Sequence, residues 1–245
     1  MKITAIIGGS GLTQLASLKL IEQQQIKTPY GMPSSACTLG EIYGQKVIFI
    51  ARHGDPHSIA PHNINYRANI WALKQMGAEQ IIAVAAVGGI TSAMSPARIA
   101  IPKQIIDYSY GREHTFFAEA GQAVQHIDFT HPYDEALRQR LIQSATDLDI
   151  QTGGVYGCTQ GPRLETAAEI IRMQRDGCDL VGMTGMPEAA LAKELEIPYA
   201  CCAVIANWAA GKGADEITMS DILKNLEKGM ADAETLLQHF FSGKS

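Results

Sequence analysis

Lys46-Val47-Ile48-Phe49-Ile50-Ala51-Arg52-His53-Gly54 is the stretch on which the fold turns. Five apolar residues follow one another without alternation, the pattern of a strand covered on both faces of a sheet. The chain then breaks into two polar residues and a glycine. Continuous apolar, β-branched runs of the same kind occupy residues 3–7, 80–87, 104–108, 154–159, 179–183 and 199–206, and each reads as a strand. Helical spacing lies between them: Tyr66, Ile70 and Leu73 mark one helix, Leu137, Leu141 and Ala145 a second, and Ala168, Ile171 and Arg172 a third. The longest stripe comes last, through Ile222, Leu223, Leu226, Met230, Ala233, Leu237 and Phe240, with Thr218 as its expected N-cap and Asp221 three residues on. Strands alternating with helices predict an α/β fold, one domain over residues 1–245, with a central mixed β-sheet flanked by helices.

The bulk properties fit an enzyme. The chain has 245 residues, 46% hydrophobic and 18% charged, which excludes a disordered polymer. Its net charge of −5 argues against nucleic acid as a partner, since such proteins carry basic patches. No apolar run approaches the roughly 18 residues that suggest a membrane span. The opening Met1-Lys2-Ile3-Thr4-Ala5-Ile6-Ile7-Gly8-Gly9 lacks the length and cleavage site of a signal peptide and reads as the first strand. Cys37, Cys158, Cys178, Cys201 and Cys202 are odd in number and form no CxxC pair. They suit small buried hydrophobes in a reducing compartment, and the cytoplasm is the expected location. No Cys/His cluster has zinc-ligand spacing, so no metal is expected.

Five polar loops follow the apolar runs: Gly8-Gly9-Ser10-Gly11; Arg52-His53-Gly54; Gly161-Pro162-Arg163-Leu164-Glu165; Met183-Thr184-Gly185-Met186-Pro187-Glu188; and Asn207. In open α/β proteins ligands collect outside the carboxyl ends of strands, so the five predict one small-molecule pocket. The glycine turn can aim N–H groups at an anion or can be only a tight turn. It is not a dinucleotide fingerprint, because Gln14 stands where the third glycine would fall, which disfavours a dehydrogenase. Arg52 offers a planar fork for phosphate, or Arg52-His53 is a surface pair beside a turn.

Glu165 and Asn207 discriminate between bases. A 6-oxopurine presents an N1–H donor and an O6 acceptor. An ionised carboxylate only accepts, so Glu165 suits N1–H, while the Asn207 amide can serve O6 and a protonated N7 together. Adenine reverses the pattern, leaving two acceptors facing each other at a cost of about 1–3 kcal/mol. The plainer alternative makes Glu165 a charge at a helix N-terminus and Asn207 a strand cap. Residues 109–132 fit no periodicity, yet hold Arg112, Glu113, His114, three phenylalanines, His126 and His131. An aromatic loop of this length predicts active-site cover or an interface.

IIGGSGL, ARHG, NYRANIWALK, IIAVAAVGG, TQGPRLET and VGMTGMPEAALAKEL resemble the trimeric purine nucleoside phosphorylase and methylthioadenosine phosphorylase family, over residues 4–237. The resemblance implies phosphorolysis, in which phosphate attacks C1′ of a nucleoside and releases the purine, with inorganic phosphate as co-substrate and no cofactor. It implies that Ser10, Arg52, His53, Thr184 and the N–H of Ala86 hold phosphate, and that Met183 lies against the ribose. Asn207 and His53 carry the catalytic roles, and Trp208 and Ala209 flank the base. Ala85 departs from the pattern: relatives often place a hydroxyl there, and its loss is expected to weaken phosphate binding unless Asn63, Asn65 or water compensates. Adenine-specific relatives carry a small hydroxyl residue in place of Glu165 and aspartates in place of Asn207 and Ala209. Met219 falls where methylthio-specific members are apolar and members taking a free 5′-hydroxyl have histidine. The nucleoside fitting both halves is 5′-methylthioinosine, with methylthioadenosine or inosine/guanosine phosphorolysis, or purine binding without turnover, as alternatives. The resemblance further implies a homotrimer in which His126 closes a neighbouring subunit's site.

Overall fold

The computed structural model describes residues 2–10, 12, 17–118, 121, 123–213 and 218–244, and of Met219 the backbone alone. All seven expected strands form: β1 (Thr4–Gly8), β4 (Gln45–Ala51), β5 (Gln80–Gly89), β7 (Gln104–Asp107), β9 (Val155–Cys158), β10 (Leu180–Gly182) and β11 (Tyr199–Trp208). Four more were not anticipated: β2 (Lys19–Gln24), β3 (Cys37–Ile42), β6 (Ile99–Ala100) and β8 (Ile150–Gln151). The helices are α1 (Tyr66–Gln75), α2 (Glu135–Gln143), α3 (Ala167–Arg175), α4 (Gly185–Glu194) and α5 (Met219–Ser242).

The sheet is mixed, in the order β2-β3-β4-β1-β5-β10-β9-β7, with β11 on β5 as well and β6 and β8 beyond it. β4, β1, β5 and β11 are parallel, whereas β10 runs antiparallel to β5 and parallel to β9. That reversal creates the site. β1 leaves β5 at the pair Ile7↔Ala83, and β10 joins it at Leu180↔Gly89 and Val181↔Gly88. The two strands therefore aim their carboxyl ends at one another across a gap on that edge of β5, at residues 84–87, whose other edge pairs with β11. Gly9 and Gly182 mark the rims: a Cβ on Gly9 would meet Val84 O at 2.6 Å, and one on Gly182 would meet Tyr156 Oη at 2.0 Å.

Helices cover both faces. Strand β1 divides its side chains by alternation: Ala5 and Ile7 pack with Ile70 and Leu73 of α1 and Leu191 of α4, and Ile6 packs with Leu141 of α2 and Leu237 of α5. Asn65, Asp134, Thr166 and Thr218 each cap a helix by accepting a backbone N–H. The expected Thr218 cap thus forms, though Thr218 Oγ1 also donates to Asp221 Oδ2.

Three expectations are corrected. The buried face of α3 is Ile170 and Met173, while Ala168, Ile171 and Arg172 are exposed; the capping box between Thr166 and Glu169 sets the phase. Residues 185–188 of the expected polar loop open α4, although Gly185, Met186 and Pro187 make its start irregular and Met186 is itself non-helical. Leu223 is 59% exposed, because the first turns of α5 lie beside a cavity and not over the sheet. The expected irregular segment holds no helix or strand among its described residues. All five cysteines are free and buried, and burial pushes the Cys37, Cys158 and Cys202 thiols up to about 12. Among the described residues no helix is long and apolar enough to cross a membrane.

Candidate active site

The gap in β5 opens into a cavity of about 470 Å³. Ser10, Arg52, His53, Ala86, Glu165, Met183, Thr184, Asn207 and Ala209 line it, so residues from five distant loops meet as the sequence predicts. Trp208 does not. Strand alternation turns its side chain away from the face shared by Asn207 and Ala209, and its carbonyl instead accepts from Asn207 Nδ2 at 2.7 Å. His126 is exposed and is not among the residues that line this cavity. The Met219 side chain and Gly11 lie outside the described residues. Asn65 cannot compensate for Ala85, since its side chain accepts from Ala68 N and donates to Tyr30 O, and Asn63 lies outside the lining.

On one wall stands Arg52, 1% exposed. Its Nε and Nη2 donate to Glu188 Oε2 and Oε1, and Nη1 donates to Val84 O, a carbonyl freed by the gap in the sheet. Tyr199 Oη donates to the same Glu188 Oε1 at 2.8 Å. Burial opposes the guanidinium charge, yet the Glu188 carboxylate holds its pKa above the ordinary arginine value. A guanidinium has five N–H donors, so Arg52 keeps one hydrogen on each Nη after these three bonds.

His53 follows on the same strand end. Its Nδ1 lies 2.8 Å from Ile59 O; a carbonyl only accepts, so Nδ1 carries the proton. Burial, with the Arg52 charge second, lowers its pKa to about 4. At neutral pH the ring is therefore uncharged, with a lone pair on Nε2. His57, not singled out from the sequence, stacks on it at 4.4 Å between centroids and also lines the cavity. Thr184 begins α4 with a hydroxyl that makes no capping bond.

The opposite wall carries the base-reading pair. Glu165 lies outside α3, whose N-cap is Thr166 and whose first-turn acid is Glu169. The helix-charge alternative thus falls to Glu169. Thr159 Oγ1 donates to Glu165 Oε1 at 2.6 Å, fixing the carboxylate and leaving Oε2 open. Asn207 sits at a register shift between Ile205 and Asn207 of β11. A bulge re-aims a side chain relative to the flanking strand, which explains why a strand interior delivers an amide to a cavity. Ile222, Leu223 and Leu226 of α5 give the third wall an apolar character.

Glu188, Tyr199 and the α5 residues were missed as site components. Glu188 was visible as a residue of a polar loop, but nothing in the sequence says which of several acids meets Arg52.

A strand-end arginine and histidine, a free hydroxyl at a helix start, and a carboxylate facing an amide match one family. The chain belongs to the phosphorylase superfamily, which matches residues 3–242. It is 54% identical to a probable S-methyl-5′-thioinosine phosphorylase of Pseudomonas syringae, over 99% of each chain. It is 43% identical to the 6-oxopurine nucleoside phosphorylase of Pyrococcus furiosus, over 95% of this chain and 89% of that one. The methylthioadenosine phosphorylase of Schistosoma mansoni, solved with adenine, superposes with a TM-score of 0.93 at 29% identity, covering 99% of this chain and 91% of the other.

Proposed function

We propose that the protein cleaves S-methyl-5′-thioinosine with phosphate, giving hypoxanthine and 5-methylthioribose 1-phosphate, a purine-salvage reaction of a pentosyltransferase. The observation that carries the reading is the meeting of Glu165 and Asn207 in one cavity with the apolar residues of α5. An acceptor and a two-faced amide suit a 6-oxopurine, and Ile222, Leu223 and Leu226 offer a methylthio group apolar contact with no strong hydrogen bond to a hydroxyl. The printed name of the Pseudomonas relative agrees.

In the mechanism drawn from this geometry, phosphate occupies the end of the cavity near Ser10, Arg52, His53, Ala86 and Thr184. A phosphate oxygen bonds to C1′ as the C1′–N9 bond breaks and its electron pair passes to the purine. The sugar is cation-like between them, and preorganised charge at that moment is often the largest catalytic contribution. Hydrogen phosphate brings one proton and the departing hypoxanthine takes one up, so the reaction balances without an added acid. Neutral His53 Nε2 accepts the P–OH hydrogen and orients phosphate. Asn207 serves N7 and O6, Glu165 serves N1–H, and Met183 and Ala209 contact ribose and base. No metal or organic cofactor takes part.

The reading includes a homotrimer in the cytoplasm, with His126 of one subunit reaching a neighbour's 5′ pocket. Exposed His126 and Leu223 support the first part, and five free buried cysteines suit a reducing compartment. The test is release of base from methylthioinosine, methylthioadenosine, inosine, guanosine and adenosine, with and without phosphate. Phosphate-dependent turnover fastest with methylthioinosine is expected; preference for either adenine nucleoside overturns the reading.

A further inference from the structure

The irregular segment contains a buried cation that the proposed reaction does not use. Arg112 is 8% exposed, and its described partners are oxygens of the loops around the cavity. Nη1 donates to the carbonyls of Met183 (2.9 Å) and Met186, with Tyr66 Oη at 3.3 Å. Nη2 donates to the carbonyls of Thr159 (3.1 Å) and Gln160 (2.9 Å), and Nε to Gln160 Oε1 at 3.1 Å. Each of the five N–H donors thus has an acceptor. None of these partners is a carboxylate; four backbone carbonyls, the Gln160 amide oxygen and the hydroxyl and ring of Tyr66 face the charge.

The two groups of carbonyls belong to two loops, one after β9 and one after β10, which leave the sheet from the neighbouring pair Gly182↔Cys158. Thr159 and Gln160 begin the loop that ends in Glu165, and Thr159 also fixes that carboxylate. Met183 and Met186 bracket Thr184. Two nearby residues are anchored too: Glu113 pairs with Arg67 of α1 at 3.0 Å, and Phe116 N donates to Glu194 of α4 at 2.8 Å. A planar, rigid fork holds a separation in a way that a flexible ammonium cannot.

We propose that Arg112 is a positioning residue that fixes the distance between the base-reading wall at Glu165 and the phosphate wall at Thr184. It touches neither substrate. It sets the geometry in which both are held at once, where a misplacement of about 1 Å costs about 10²-fold in rate. The inference rests on the phosphorolytic reading for the roles of the two walls and for its kinetic assay.

The test compares Arg112→Ala and Arg112→Lys with the unmodified protein, using phosphorolysis and amide hydrogen exchange. Arg112→Ala is expected to lose at least 100-fold in kcat, with the preference for 6-oxo over 6-amino nucleosides reduced at least tenfold. Millimolar guanidinium, but not methylammonium, should restore part of both. Exchange in residues 159–165 and 183–187 should rise together at least tenfold while β1 and β5 stay protected. An Arg112→Ala protein with intact base preference, or with unchanged exchange in the two loops, overturns the proposal. If Arg112→Ala does not fold, Arg112→Lys decides: at least a tenfold loss of kcat at an unaltered unfolding midpoint supports the proposal, and wild-type kcat overturns it. Absence of turnover by the unmodified protein would refute the phosphorolytic reading instead, and exchange would still judge Arg112.

Discussion

Glu188 grips Arg52 through both carboxylate oxygens, at 2.7 Å to Nε and 2.8 Å to Nη2, with each side chain 1% exposed. The pair turns the remaining Nη hydrogens of Arg52 into directed donors and leaves no freedom in the guanidinium plane. Removing one partner from a buried pair strands the other charge, at about 3–5 kcal/mol. Glu188→Ala should therefore lower stability by about that much in urea titrations. It should also raise the phosphate KM at least tenfold while the nucleoside KM moves less. Equal rises in both constants would detach Glu188 from the phosphate side.

His53 makes the second prediction, through pH. Its pKa falls from the ordinary histidine value to about 4 in the folded protein, by burial first and the Arg52 charge second. Between about pH 6.5 and pH 4 the unfolded chain binds a proton that the folded chain does not, so stability rises with pH through this window. The contribution is complete above the upper bound and lost as acid is added. Replacing His53 with Asn should flatten the dependence of the unfolding free energy on pH between 4 and 6.5, by at most about 1.4 kcal/mol per pH unit. Parallel curves for the two proteins would mean that His53 is already charged in the folded state.

The reach of the sequence was set by which interactions are local. Runs such as 47–51 and 80–87 were legible because burial on both faces demands unbroken apolar stretches. The polar hairpin strand β2 was not, because Lys19, Glu22, Gln23 and Gln24 lie at an exposed edge where no apolar pattern is required. The loop residues Ser10, His53 and Thr184 could be placed from their positions after strands. The partner of Arg52 could not: Glu188 reaches it from 136 residues away, and Tyr199, at the start of β11, donates to that same carboxylate. Trp208 was misplaced because alternation along β11 turns its side chain away from the face of Asn207, and the shift that sets that face belongs to the pairing with β5.

Base choice gives the third prediction. Thr159 anchors one oxygen of Glu165, and the Trp208 carbonyl takes one hydrogen of Asn207, so each side chain presents one defined face to a base. Glu165→Ser with Asn207→Asp removes the acceptor facing N1 and supplies one suited to a 6-amino group. The double variant should shift the kcat/KM ratio of methylthioadenosine to methylthioinosine upward by at least tenfold, consistent with about 1–3 kcal/mol for one mismatched buried polar group. A ratio that stays within twofold would place base selection elsewhere in the cavity.

The 5′ end supplies the fourth. Ile222, Leu223 and Leu226 line the cavity from α5, and Met219 opens the same helix one turn earlier. A histidine there can bond a free 5′-hydroxyl and loses the thioether's apolar contact with a methylthio group. One such contact is worth about 1–3 kcal/mol. Met219→His should accordingly raise inosine turnover relative to methylthioinosine by about tenfold, as a bias and not a switch. Competition of the two nucleosides in a single reaction reads this ratio directly. If both fall by the same factor, position 219 does not contact the 5′ group, and the apolar wall made by α5 selects the substrate without it.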